Sequence, residues 1–191
     1  EYIGWAVGEC GTIMKSVNGG YLWENQSQNG CFDLLAVSFP DVMNGFALGS
    51  NDSIYITTNG GTEWTSSSFN NPWFIQMKDI FFVDHLNGWA AGNLSSVLHT
   101  EDGGMTWVSQ YANTFGVINL GQIFFINDQT GWIVGEEGII LYTEDGGDNW
   151  SVQTSNTAYN LESIHFSDQS NGWAAGENGI LLNTTDGGDN W

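Results

Sequence analysis

Trp23, Trp64, Trp107, Trp150 and Trp191 recur at spacings of 41, 43, 43 and 41 residues. Self-similarity at a fixed period marks a repeat architecture, in which each unit buries its apolar face only against its neighbours. A second marker keeps the same phase. Trp5, Phe46, Trp89, Trp132 and Trp173 each follow a glycine and head the segments GWAVG, GFALG, GWAAG, GWIVG and GWAAG. Two markers in one register define the unit, with boundaries expected at approximately 1–31, 32–72, 73–116, 117–158 and 159–191.

Inside a unit the pattern is that of β-structure. LLAVSF, MKDIFF, LGQIFF and LESIHF are short apolar-rich runs, followed by a turn, the GWAxG run, a third run such as GILLNTT, and a fourth opening at the motif tryptophan. Segments such as FSDQSNGW and NDQTGW supply the Asp, Asn and Gly of tight turns. The expectation is an all-β fold, a β-propeller of four-stranded antiparallel blades with about five repeats of 41–43 residues. Ile164, Phe166, Trp173, Ile180 and Leu182, with their counterparts, are expected in the core. The second and third strand types occur five times, but the first occurs four times and the fourth is complete only four times. The chain therefore reads as an incomplete portion of a larger propeller, a mature or excised piece of something longer, with either missing sequence on both sides or closure through neighbouring copies expected. Self-association through unpaired blade edges is part of that expectation.

Charge narrows the partners. The chain has 22 acidic residues against Lys15 and Lys78, no arginine, and a net charge of -20. Lysines and arginines hold proteins to nucleic acid and to anionic lipid, so neither is expected as a partner. No window approaches the roughly 20 apolar residues of a membrane-spanning helix, so no membrane insertion is expected, and no signal peptide is recognisable. A protein or a neutral glycan remains.

The segments closing each unit are SVNGGYLW, TTNGGTEW, TEDGGMTW, TEDGGDNW and TTDGGDNW. They resemble the Asp box, S/T-x-D-x-G-x-x-W, of the BNR repeats of sialidases and their non-enzymatic relatives. With the GWAxG runs, nearly the whole chain is similar to the BNR-like propellers typified by the photosystem II assembly factor family and by many secreted bacterial repeat proteins. A structural role is expected for the box residues Asn18, Asn59, Asp102, Asp145 and Asp186 and for the tryptophans Trp23, Trp64, Trp107, Trp150 and Trp191. The carboxylate heads an Asx-turn, and the amide of asparagine can accept the same bonds. The sialidase resemblance implies an arginine triad, so the absence of arginine excludes sialidase activity. The assembly-factor resemblance implies an arginine-rich partner patch, which is also missing, so the resemblance carries fold rather than function.

In such a blade the turns after the second strands share a rim with the connections between units. That rim collects Glu9, Asp52, Glu136, Glu137 and Glu177, with Phe69, Trp73, Phe74, Tyr111, Phe115 and Tyr159. Trp73, Phe74, Tyr111, Phe115, Tyr159, Glu136 and Glu177 are the candidate ligand or partner contacts, because loops carry function more often than cores do. Paired carboxylates could serve an Asp-box glycoside hydrolase acting on a neutral polysaccharide, the enzymatic alternative. Against it, Glu9, Glu136 and Glu177 repeat at one place in successive units, whereas a catalytic acid should be singular, and no catalytic residue is assigned. His85, His99 and His165 lack the spacing of a zinc site. Ca2+ could be held by turns at Asp41, Asp84, Asp128 and Asp168, although an F-x-D-x-x-N-G-like turn explains each acid without it; no other cofactor is expected. On this fold Cys10 and Cys31 lie on one rim of adjacent blades, where a disulfide could form. The reading is a non-catalytic scaffold or recognition module, extracellular or at the cell surface.

Overall fold

The computed structural model describes residues 2–27, 32–69, 75–112, 114 and 116–191. These residues form five antiparallel sheets of three or four strands, the all-β architecture that the repeat predicts. The first repeat supplies β1 (Gly4–Gly8), β2 (Thr12–Ser16) and β3 (Glu24–Asn25), and the second β4 (Leu34–Ser38), β5 (Gly45–Gly49), β6 (Ser53–Thr57) and β7 (Thr65–Ser68). The third gives β8 (Met77–Phe82), β9 (Gly88–Gly92), β10 (Ser96–Thr100) and β11 (Val108–Tyr111). The fourth gives β12 (Leu120–Phe125), β13 (Gly131–Gly135), β14 (Ile140–Thr143) and β15 (Ser151–Gln153), and the fifth β16 (Leu161–Phe166), β17 (Gly172–Gly176) and β18 (Leu181–Thr184).

The chain forms two compact units, Glu1–Gly88 with Thr100–Trp107, and Trp89–His99 with Val108–Trp191. The first contains the sheets β1-β2-β3 and β4-β5-β6-β7 together with β8; the second contains β9 to β11 and the sheets β12-β13-β14-β15 and β16-β17-β18. Strands adjacent in sequence pair by simple hairpins, as Phe46 opposite Ile56 and Trp132 opposite Tyr142 illustrate.

Each unit is held by a recurring three-ring cluster. In the first, Trp5 stacks on Phe39 with centroids 3.6 Å apart, and Trp64 meets that phenyl edge-on at 5.9 Å. Phe46, Phe82 and Trp107 repeat the arrangement at 3.5 and 6.0 Å. In the second, Trp89, Phe125 and Trp150 form it at 3.7 and 5.9 Å, and Trp132, Phe166 and Trp191 at 3.6 and 5.8 Å. The second-strand aromatic of one sheet thus lies flat on a phenylalanine at the end of the next sheet's first strand, and the box tryptophan closes the cluster. Offset and edge-to-face pairs of this kind add to the area they bury. The glycine before each second-strand aromatic has a packing reason. A Cβ at Gly131 would lie 2.5 Å from the Phe125 ring, and one at Gly88 or Gly172 as close to Phe82 or Phe166.

Three expected placements need correction. Ile164 and Phe166 are buried, but Trp173 is 43% exposed, because no following sheet in this chain supplies a phenylalanine to cover it. Trp23 is equally exposed, since its sheet lacks the first-type strand that would carry one. Phe69, expected on the rim, is instead 5% exposed and packs at 4.9 Å against Trp107.

Candidate functional site

The repeated polar residues are consumed by turns. In the box of the fourth repeat, the Thr143 hydroxyl donates to Asp145 Oδ1 at 2.8 Å and accepts the Gly147 amide at 2.9 Å. Asp145 also accepts the Asn149 backbone amide at 2.9 Å and its side-chain amide at 2.8 Å. Asp102 and Asp186 make the same set with Thr106 and Asn190. Asn18 and Asn59 reproduce the backbone part, accepting the amides of Leu22 and Glu63 at 2.9 Å. These donors favour the ionised acid. Asp186 is lowered to about 2, first by the Asn190 side chain, then by the Asn190 amide and the Thr184 hydroxyl. Asp102 is lowered chiefly by the Thr106 hydroxyl. Burial raises Asp145, but the bonds from Asn149 and Thr143 outweigh it and leave the acid below the usual range.

The turns between first and second strands are built alike. Asp41 accepts the amides of Met43 and Asn44 at 2.7 and 2.8 Å, Asp84 those of Leu86 and Asn87 at 2.7 Å, and Asp168 those of Ser170 and Asn171 at 2.9 Å. In the fourth repeat this role falls to Asn127, which accepts Gln129 and Thr130 at 2.9 and 2.8 Å, and not to Asp128 as the sequence pattern implied. Among the described residues no group of three or more His, Cys, Asp or Glu is placed to hold a metal ion.

Of the expected rim contacts, Glu136 accepts the Asn119 side-chain amide at 3.0 Å and Glu177 that of Asn160 at 3.1 Å, so both tie a turn to the preceding connection. Tyr159 is 51% exposed. Trp73, Phe74, Phe115 and Cys31 lie outside the described residues.

Two turns depart from the repeat, GSNDS in the second and GNLSS in the third. Where three repeats read GECG, GEEG and GENG, the third reads GNLSS, and its Leu94 and Ser95 both adopt left-handed backbone at φ 58 and 57. Two consecutive non-glycine residues in that region are sterically costly and mark a functional candidate. The Leu94 amide is tied to Asn119 Oδ1 at 3.3 Å. Ser95 is tied to the connection after β11: its amide donates to the Ile118 carbonyl at 2.7 Å, and its hydroxyl accepts from Thr114 at 2.8 Å and from the Ile118 amide at 3.0 Å. Beside this turn lies a cleft of 320 Å³, lined by Leu94, Ser95, Tyr111, Thr114, Val117 and the outer residues of β11. Tyr111 is thus the expected contact that the structure brings into a cleft. Leu94 and Val117 were not singled out from sequence, although the loss of the Glu-x-Gly pattern signals the turn.

The family model described as photosynthesis system II assembly factor YCF48 matches residues 28–114, 70–156 and 114–191. No curated protein sequence matches the chain. Among solved structures, YCF48 bound to D1 peptide is similar with a TM-score of 0.55 and 17% identity, covering 96% of this chain and 89% of that one. YCF48 from Cyanidioschyzon merolae gives 0.77 and 20%, covering 96% of this chain and 64% of that one. The GH74 xyloglucanase from Xanthomonas campestris gives 0.70 and 12%, covering 94% and 33%. The chain therefore spans just under two thirds of the Cyanidioschyzon merolae protein and a third of the xyloglucanase; at these identities the likeness concerns the fold. The family match overturns the expectation of an extracellular or cell-surface location, because a photosystem assembly factor works where a photosystem is built. With its matches running from residue 28 to residue 191, the chain belongs to the BNR-repeat family of the photosynthesis system II assembly factor YCF48.

Proposed function

We propose that the chain is a non-catalytic β-propeller module that recognises a polypeptide partner. The observation that carries this reading is the use of the repeated carboxylates: Asp102, Asp145 and Asp186 accept bonds within their own turns, while Glu136 and Glu177 are held by Asn119 and Asn160. An acid pair for glycoside hydrolysis needs one carboxyl free to protonate a leaving group and another facing it across the sugar. The turn geometry supports a scaffold instead. Peptide binding by the similar YCF48 structure supports a polypeptide over a glycan.

The test has two arms on the full chain. Incubation with xyloglucan should release no reducing ends, and panning against a displayed peptide library should enrich binders. Release of reducing ends that disappears in Glu136→Gln would overturn the reading, as would a library from which nothing is enriched.

A further inference from the structure

We propose that the cleft beside β11 takes an extended, cationic peptide segment that seats a leucine-sized side chain among Leu94, Tyr111 and Val117. This rests on the reading of the chain as a polypeptide-recognising module and names the place and the chemistry of the partner. Three observations carry it. The cleft lies at the one turn among the described residues in which two successive non-glycine residues, Leu94 and Ser95, hold left-handed backbone, and the hydroxyl of Ser95 fixes that turn to the chain around Thr114 and Ile118. The strain therefore holds an exposed leucine side chain at a fixed place instead of leaving it on a loose loop.

The second observation is apolar exposure. Leu94, Val117 and Tyr111 are 58, 75 and 78% exposed around a cavity of 320 Å³, enough for one or two aliphatic side chains. Between them lie Ser95, Ser96, Ser109 and Thr114, whose hydroxyls can meet peptide groups. Along the cleft runs β11, which pairs with β10 on one side and ends its sheet on the other. A free edge whose residues, VSQY, carry no charge accepts an added strand.

The third is charge. Among the described residues Tyr111 is the only ionisable group lining the cleft, while the chain carries a net charge of -20. An acidic segment would be repelled on approach and a lysine-bearing one drawn in. A glycan fits less well, because among the described residues Tyr111 is the only aromatic side chain in the lining.

The experiment measures fluorescence polarisation of a labelled octapeptide in which lysines alternate with valine and leucine. Its counterparts carry glutamate for lysine, or serine for valine and leucine. The full chain should bind the first peptide and neither counterpart. The double variant Leu94→Ser, Val117→Ser should weaken binding about tenfold or more, with an unchanged urea midpoint because both side chains are exposed. Binding that is equal in the variant and the parent overturns the cleft while leaving polypeptide recognition standing. If the lysine peptide does not bind and library panning also enriches nothing, both readings fail. Binding by the glutamate peptide overturns the charge argument and with it the proposal.

Discussion

Gly131→Ala isolates the three-ring cluster in one methyl group. The new Cβ would stand 2.5 Å from Phe125 Cδ1, well inside van der Waals contact. The phenyl has nowhere to go: Trp89 lies on its face at 3.7 Å, Trp150 meets its edge at 5.9 Å, and the ring is 2% exposed. Overpacking a core by a methyl group costs about 1–3 kcal/mol, and a ring held on two sides places this case near the upper end, about 3 kcal/mol. For a chain of this length that corresponds to a drop of roughly 6–12 °C in the melting midpoint. Urea titration followed by tryptophan fluorescence would read the change directly. Gly8→Ala is the control, because a Cβ there meets nothing within 4 Å and its backbone is extended at φ -173, so its effect should stay within about 0.5 kcal/mol. Phe125→Leu, which removes the ring, should recover part of the loss when combined with Gly131→Ala. Equal midpoints for Gly131→Ala and the parent, or strict additivity in the double variant, would refute the steric account.

Thr143→Val should cost about 1–3 kcal/mol in the same titration, because it leaves the buried Gly147 amide without its acceptor, whereas Thr143→Ser should stay near the parent. Acid should weaken the fold in a defined window. The folded-state pKa values of Asp102, Asp145 and Asp186 are depressed, so the stability they add is complete above the ordinary value of 3.8 and is lost as pH falls below it, for Asp186 through about 2. Asp186→Asn, which copies the box of Asn59, should flatten the urea midpoint against pH in that window; an unaltered slope would show that the box carboxylates are not the titrating groups. A Cys10–Cys31 bond is proposed, so iodoacetamide without reductant should leave the intact mass unchanged, and two added labels would end the idea.

Much of the fold is legible because its determinants are local. Aromatic period, alternating runs and turn residues all lie within one unit, so the strands and the box turns can be read from spacing. The burial of each aromatic is another matter, since it is decided by a ring 34 to 36 residues further on: Phe39 for Trp5, Phe82 for Phe46, Phe125 for Trp89. Trp173 carries the same local signature as Trp132 and yet is exposed, because its burial depends on a partner and not on its own sequence context. Asp128 and Asn127 cannot be told apart by pattern for a similar reason: both offer an oxygen, and only the backbone decides which one faces the amides. At the cleft, Tyr111 is legible as an aromatic expected in an inter-unit connection, although it is the last residue of β11. Leu94 is not legible, because an exposed leucine has no sequence signature and its importance comes from left-handed backbone.

The glycine-spaced aromatics also bear on how such chains change length over time. Each of the four junctions is encoded by the same two features, a flat ring on the second-type strand of one copy and a receiving phenyl in the next copy. Unequal crossing-over between copies that keeps the phase therefore regenerates a complete junction at the splice, whichever two copies are joined. Gain or loss of whole modules requires no new surface to evolve, whereas a break that shifts the phase strands an indole in water.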